Sequence, residues 1–189
     1  MINRGSSRLS PEFVLLGFLY QAPSHGYELH RRLRDQFGDI WNASQSQTYN
    51  ILKRLESQGY VQATYIEQEK LPARQQLQLT SMGRERFETW LSQPTRSSVH
   101  AIRVEFITRL YFSQCYFPER LQVMIRDQVD AVKTVAASLQ RKLEKTGEIP
   151  AHNRLSLMLR LEILDSVIRW LEGCSQTYKT ARSESSGNA

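Results

Sequence analysis

The stretch that decides the fold is residues 44–59, which read SQSQTYNILKRLESQG. Ser44 followed by Gln47 has the spacing of a capping box, in which each side chain bonds a free backbone amide at the start of a helix. Gly59 ends the segment, because glycine readily adopts the left-handed conformation in which helices often terminate. The sequence therefore predicts a helix from residue 45 to about residue 58.

This helix has two unlike faces. At about 100° per residue, its apolar side is narrow and consists of Thr48, Ile51, Leu52 and Leu55. The opposite side carries hydrogen-bonding groups and one cation: Ser46, Tyr49, Asn50, Lys53 and Ser57. Such a face is typical of an ordinary solvated helix, and it is also what a helix needs to enter the major groove of DNA. The polar face alone favours the ordinary helix.

Two further helices are predicted before this one. The triplet Ser10-Pro11-Glu12 offers a capping serine, a proline at the first helical position and an acid in the first turn. Pro23 ends this first helix. Ser24 is placed to cap a second helix that runs to Phe37.

The residues that follow residue 59 predict a hairpin and a fourth helix. Residues 60–66 are rich in Val, Thr and Tyr, and residues 75–79 alternate apolar and polar side chains, so we expect two strands joined by a loop at 67–74. Thr80 is placed to cap a helix that ends near residue 91. A linker containing Pro94 then separates a first domain, residues 1–92, from the rest of the chain.

Residues 98–180 have a helical pattern almost throughout. Spacings of four and three between Ile125 and Leu143 predict a coiled-coil seam, and 11 of the 17 residues at 155–171 are apolar on more than one face. We therefore expect an antiparallel helical domain that also pairs with a second copy of the chain. The residues predicted to dimerise are Ile125, Val129, Val132, Leu139, Leu161, Leu164, Ile168 and Leu171. Residues 181–189 are expected to be disordered.

Composition and charge limit the function. The net charge is +6, of which residues 1–92 carry +2 from 11 basic and 9 acidic residues, so charge favours a polyanionic partner only faintly. No apolar run approaches the roughly 18 residues that span a bilayer. Cys115 and Cys174 lack metal-ligand spacing and are expected as reduced cytosolic thiols. No phosphate-binding loop, nucleophile elbow or metal motif is present, so we expect no enzyme, no cofactor and no bound metal.

Several short motifs resemble the PadR family of transcriptional regulators. They are LLGFL at 15–19, HGYEL at 25–29, Tyr49 with RLE at 54–56, and RQQLQLT at 74–80 followed by Gly83. The resemblance covers residues 13–92, and residues 98–180 are similar to the helical C-terminal domain of the family in length and helicity. Asn50 stands where the family often has proline, Gln75 where it has a basic residue, and Leu77 where it has an aromatic residue.

The resemblance implies a mainly α fold with a small two-stranded β-wing: a winged helix-turn-helix domain followed by a helical dimerisation domain. It also implies a cytoplasmic, homodimeric repressor that binds a palindromic operator with helix 44–58 in the major groove. The residues expected to contact DNA are Ser44, Ser46, Gln47, Tyr49, Asn50, Lys53, Arg54, Lys70 and Arg74. The alternative is a protein-interaction module that uses the winged helix to dock a partner protein.

Two predictions concern residues outside the third helix. His25 is expected to bond local backbone at the start of the second helix. Some members of the PadR family respond to planar compounds, and four aromatic residues are candidates for an effector pocket, although plain core is the commoner role of such residues: Trp41, Trp90, Tyr111 and Trp170.

Overall fold

The computed structural model describes residues 10–68, 71–144 and 149–186, with the backbone alone for 66–68, 71–74 and 179–186. The chain divides into two compact units, Met1–Gln93 and Pro94–Ala189, which we call the N-terminal and C-terminal units. The mainly helical architecture with one two-stranded antiparallel sheet confirms the predicted fold class.

The N-terminal unit is three helices, a hairpin and a fourth helix. In chain order the elements are α1 (Glu12–Gln21), α2 (Gly26–Phe37), α3 (Gln45–Ser57), β1 (Val61–Gln68), β2 (Leu71–Leu79) and α4 (Ser81–Ser92). The strands pair from Val61↔Leu79 outward to Gln68↔Leu71, with an irregularity between Ile66 and Gln68. Both strands extend further into the predicted loop than expected. Strand β2 includes Pro72, which is tolerated because both strands of a two-stranded sheet are edge strands.

Helix α1 is the centre of the N-terminal unit. All residues from Val14 to Leu19 are buried, so this helix is apolar on every side and needs neighbours all round. It contacts α2, α3, α4 and β2, and its Phe18 packs beside Phe37. Pro11, rather than the predicted Ser10, is the residue that precedes the first helical turn, and no side chain caps it.

The second helix also begins differently from the prediction. His25 precedes its first turn, and Ser24 lies in an extended segment whose backbone exchanges two 2.9 Å hydrogen bonds with Leu77 of β2. The prediction that Ser24 caps α2 was therefore wrong, because pairing with the hairpin draws its backbone away from the helix.

The C-terminal unit contains one interrupted helix and one long helical pair. The interrupted helix comprises α5 (Val99–Ala101), a π-helical turn (Ile102–Phe106) and α6 (Ile107–Tyr116). After a short 3-10 turn (Pro118–Arg120) come α7 (Leu121–Glu144) and α8 (Ala151–Ser186). Gln122 near the start of α7 bonds Ser175 towards the end of α8, so the pair is antiparallel.

The coiled-coil seam lies within the chain. Ile125, Val129, Val132 and Leu139 of α7 are buried in one cluster with residues of α8 and of the interrupted helix. Helix α8 remains helical to Ser186, beyond the start of the predicted disorder at residue 181, since no glycine or proline precedes Gly187 in that stretch. Among the described residues, no helix combines the length and apolar character needed to cross a membrane.

Candidate nucleic-acid interface

Helix α3 is held at both ends by the groups that the sequence predicts. The Ser44 hydroxyl accepts from the Gln47 amide at 3.2 Å, and the Gln47 side-chain oxygen accepts from the Ser44 amide at 2.9 Å. Gly59, just beyond the helix, has φ of 75°, a conformation that costs other residues free energy. The predicted capping box is confirmed, and it fixes where the helix begins.

The two faces of α3 are also as expected. Thr48, Leu52 and Leu55 are buried, and Ile51 is half-buried. The whole predicted polar face is exposed: Ser46, Tyr49, Asn50, Lys53 and Ser57. Among the described residues, neither Asn50 nor Lys53 has a side-chain hydrogen bond or ion pair. Their donors and acceptors are therefore available to another molecule.

A buried threonine ties α3 to α2. The Thr48 hydroxyl donates to the Ser44 carbonyl at 3.1 Å, so its oxygen is left to accept a hydrogen bond from His30 Nδ1 at 3.0 Å. This bond joins the middle of α2 to the first turn of α3. It therefore contributes to the orientation of the exposed face of α3 in the N-terminal unit.

The segment before α2 holds the hairpin as well as the first turn of its own helix. His25 Nδ1–H donates to the Gln75 carbonyl at 2.8 Å, 50 residues away, and the neighbouring Ser24 pairs with Leu77. The expected local role of His25 was therefore incomplete. The carboxylate of Glu28 accepts from the His25 amide at 3.3 Å and from the Ser24 hydroxyl at 3.0 Å, and these bonds lower the pKa of Glu28.

These elements enclose an open groove of about 720 Å³ beside α3. Its walls come from the start of α2, the outer face of α3 and strand β2, and include Tyr49, Asn50, Lys53 and Gln75. An ideal Cβ at Gly26 would lie 3.0 Å from Tyr49 Cε1, so a glycine at that position leaves room for the tyrosine ring. The groove therefore depends on the motif residue with which α2 begins.

An ion-pair network occupies one of the predicted DNA contacts. Glu12 of α1 lies 2.7 Å from Arg54 Nη2 of α3 and 2.7 Å from Arg86 Nη2 of α4. Arg86 also stacks over the Tyr60 ring, with its guanidinium carbon 4.5 Å from the ring centroid. Part of the Arg54 charge is thus neutralised inside the protein. Sequence reasoning missed Glu12 and Arg86, because no local pattern links residues 42 and 74 positions apart.

The remaining predicted contacts lie on the hairpin. Arg74 lies on β2, where its backbone pairs with Ile66, but its side chain is not described. Lys70 lies outside the described residues. Ser44 and Gln47 are exposed as expected, and their side chains form the capping box.

The four candidate effector residues have different surroundings. Trp41 and Trp90 are buried in the N-terminal unit, where Trp90 stacks on Phe13 with ring centroids 4.5 Å apart. Tyr111 of the C-terminal unit is half-buried and meets Phe112 edge to face. Trp170 is 42% exposed and lines an apolar groove of about 660 Å³ in the C-terminal unit.

The groove at Trp170 lies beside apolar side chains that are exposed to solvent. It runs between the interrupted helix and α8, with Ile102, Ile107 and Ile163 on its walls and Arg103 and Glu162 also in its lining. Leu155 and Leu159, near the start of α8, are 67% and 59% exposed. The predicted dimerisation residues lie elsewhere: six are buried in the core of the unit and two, Leu161 and Ile168, pack against it.

Buried charge in the C-terminal unit is confined to one described pair. Arg109 of α6 pairs with Glu105 in the π-helical turn, and burial lowers the pKa of the Arg109 guanidinium. Among the described residues, no three His, Cys, Asp or Glu side chains gather as a metal site.

Three helices, a hairpin beside the third helix and a fourth helix define a winged helix-turn-helix protein. Residues 15–89 match the family described as "Transcriptional regulator PadR-like family". The "Negative transcriptional regulator PadR" of Bacillus subtilis is 28% identical over 137 residues, covering 71% of this chain and 73% of that protein. The "Probable transcriptional regulator Rv1176c" of Mycobacterium tuberculosis is 24% identical over 187 residues, covering 91% and 98%.

The chain belongs to the PadR-like family of transcriptional regulators. The family and both curated relatives are regulators and not enzymes, as predicted. Among solved structures, Bacillus subtilis PadR in complex with operator DNA is 24% identical, covers 88% of this chain and 98% of that chain, and has a TM-score of 0.42.

Proposed function

We propose that the protein is a homodimeric repressor that binds a palindromic operator with α3 in the major groove. The observation that carries this proposal is the exposed polar face of α3, on which Asn50 and Lys53 have no side-chain partner among the described residues. A capped, well-packed helix that offers unsatisfied donors and acceptors outward suits the readout of base edges.

The chemistry of this face assigns each side chain a role. The Asn50 amide can donate to and accept from one adenine edge, and Lys53 can reach guanine or a phosphate. Ser46 and Tyr49 carry hydroxyl groups that suit phosphate or sugar, which position the helix without reading sequence. Arg54 becomes a phosphate contact only where DNA competes with Glu12 for its guanidinium.

The hairpin supplies the second set of contacts. As a wing, it would place Lys70 and Arg74 at a minor groove or at the phosphate backbone. The bonds from His25 and Ser24 to β2 hold the base of this wing beside the groove at α3. These bonds therefore connect the wing to the segment that begins α2, beside α3.

The dimer face is the exposed apolar side of the C-terminal unit. Leu155 and Leu159 continue the apolar groove at Trp170, and such contiguous apolar surface is rare on a monomer. Arg103 and Glu162 in the same lining have opposite charges, which suits a self-complementary interface about a two-fold axis. The occupant we propose is therefore a second copy of this chain.

Two-fold symmetry then defines the mechanism. A dimer would present two α3 helices to successive major-groove turns about 34–36 Å apart, which requires a palindrome. A dimer bound at a promoter would block transcription. A protein with this role would act in the cytoplasm. Sedimentation should show a dimer at micromolar concentration, and Leu155→Glu with Leu159→Glu should give a monomer. A dimer that survives both changes would refute this interface.

Affinity for DNA tests the α3 interface directly. Palindromic duplexes are first selected from a random pool with the full-length protein. The variants Asn50→Ala and Lys53→Ala should each weaken binding by about 1–3 kcal/mol if they contact bases. Lys142→Ala, at an exposed position of the C-terminal unit, is the matched control and should bind like the wild type. Unchanged affinity of both α3 variants would place the DNA contact elsewhere.

The salt dependence of binding separates DNA from a protein partner. Affinity for DNA should fall steeply with salt, because each neutralised phosphate releases a counterion. A complex that ignores salt, together with no selected duplex, would favour the protein-interaction module. A planar effector at Trp170 would occupy the same groove as the second copy, so it should dissociate the dimer, and quenching of tryptophan fluorescence that Trp170→Phe abolishes would report its binding.

A further inference from the structure

A buried glutamine holds the segment that joins the two units. Gln128 of α7 is 1% exposed, and both polar atoms of its amide bond the backbone of Thr95. The Thr95 amide donates to Gln128 Oε1 at 2.7 Å, and Gln128 Nε2 donates to the Thr95 carbonyl at 2.9 Å. Thr95 itself is 3% exposed. We call this pair of bonds the Gln128 clip.

The clip bonds a segment that lies outside the helical pair. A polar amide is costly to bury unless both ends are hydrogen-bonded, and an apolar residue could fill the same seam beside Val129 and Val132. The Gln128 amide instead bonds Thr95, which lies outside any helix or strand. The position of that residue is therefore what the clip determines.

The clip leaves a very short free connection. Helix α4 ends at Ser92, so only Gln93 and Pro94 lie between the end of α4 and the clipped Thr95. Proline fixes its own φ near −65°, which restricts this connection further. Without the clip, the free segment would extend to Ser98, which caps α5, and the three added residues would give about 10 Å of extra reach.

We propose that Gln128 is a positioning residue for operator binding, which sets the spacing between the two α3 helices of the dimer. This inference rests on the proposed function. Gln128 shares a face of α7 with Ile125 and Val132 of the buried cluster, so the core that supports dimerisation also holds the linker. A change in that core that moves α7 would also move the clipped Thr95, at the beginning of the C-terminal unit.

The decisive readout is tolerance to operator spacing. The probes are the palindromic duplex selected by the wild-type protein and the same duplex with one or two base pairs inserted at its centre. Two inserted pairs move the second half-site by about 7 Å and turn it by about 70°, so wild-type affinity should fall at least about tenfold. Gln128→Met removes the clip and keeps a similar side-chain volume. The affinity of this variant for the duplex with two inserted pairs should be less than about threefold below its affinity for the original duplex, because the longer free connection between the units reaches both half-sites.

A matched control lies on the same helix. Gln122 makes the same kind of bonds to Ser175 of α8, so Gln122→Met removes equivalent chemistry without touching the linker. It should keep the wild-type spacing profile. Hydrogen exchange at the Thr95 amide should be fast in Gln128→Met and slow in the wild type and in Gln122→Met. Sedimentation checks that all three remain dimers.

Several outcomes would overturn the inference. A Gln128→Met protein with the wild-type spacing profile refutes it, as does a Gln122→Met protein with an equally broadened profile. If Gln128→Met does not fold, two glycines inserted between Gln93 and Pro94 lengthen the same connection with the clip intact, and a sharp profile from that variant also refutes it. A wild-type protein that selects no duplex refutes the proposed function, and this inference with it.

Discussion

Replacing Glu12 by glutamine removes the charge that joins α1 to α3 and α4. The Glu12 carboxylate is 15% exposed, and its partners Arg86 and Arg54 are 34% and 47% exposed. The more shielded bond to Arg86 contributes about 2 kcal/mol, whereas solvent screening limits the bond to Arg54 to about 0.5 kcal/mol. We expect Glu12→Gln to lower the free energy of unfolding by about 2.5 kcal/mol and Tm by about 5–10 °C.

The same change should strengthen the electrostatic part of DNA binding. Arg54 is released on the exposed side of α3, which adds one available cation per protomer. The slope of log affinity against log salt should steepen by about 1.8 per dimer if both arginines reach phosphates. Circular dichroism melts and fluorescence anisotropy at increasing KCl measure the two effects on one protein preparation.

Glu88→Gln is the matched control for both measurements. Glu88 is exposed, accepts from the Tyr20 hydroxyl at 2.8 Å and lies 4.0 Å from Arg84, so its removal should lower Tm by less than about 3 °C. A Glu12→Gln protein that melts like the wild type would refute the energetic reasoning. An unchanged salt slope would show that Arg54 does not reach DNA once Glu12 releases it.

Three further predictions concern local features of the N-terminal unit. Ser44→Ala removes the capping box and should cost about 1 kcal/mol in urea unfolding, whereas Ser46→Ala on the exposed face should cost less than about 0.5 kcal/mol. Gly83→Ala places a Cβ 2.0 Å from the Tyr60 carbonyl oxygen and should cost about 3 kcal/mol in the same assay. Because hydrogen bonds lower the pKa of Glu28 from 4.5, its stabilisation is present above that pH and is lost as pH falls through the folded-state pKa. Glu28→Gln should therefore show a smaller difference in urea midpoint between pH 7 and pH 3.

Much of the N-terminal unit could be predicted because its determinants are local. The Ser44 and Gln47 pair, the left-handed Gly59 and the two faces of α3 each depend on residues within a few positions of one another, and all appear in the structure. Ser24 shows where this reasoning fails. A serine at this position is a typical helix cap, but the Ser24 backbone pairs with Leu77, 53 positions later.

The candidate site could be predicted in part for the same reason. Helical periodicity identifies Asn50 and Lys53 as exposed. It cannot show that Arg54 meets Glu12 or that His25 reaches the Gln75 carbonyl, because tertiary packing creates both contacts.

The helical pair shows a second limit. A heptad pattern predicts that the seam at Ile125 and Val132 meets another helix, but not which chain supplies that helix. Here α8 of the same chain supplies it, and the apolar residues left exposed include Leu155 and Leu159. The seam residues and the exposed leucines are equally apolar in the sequence, so only the packing shows which of them form the core and which lie on the surface.

The π-helical turn at Ile102–Phe106 also bears on how this chain compares in length with its relatives. A turn of that kind contains one residue more than an α-helical turn. Removing any single residue from it would restore regular α-helix and would leave the residues beyond it in nearly the same rotational phase relative to Val99, because the wider turn already absorbs the additional residue. Phe112, which is fully enclosed, would then keep its direction towards the core. When relatives are aligned across this helix, a one-residue gap here signifies an α-helical turn in place of the π-helical one, with the faces of the helix that follows unchanged.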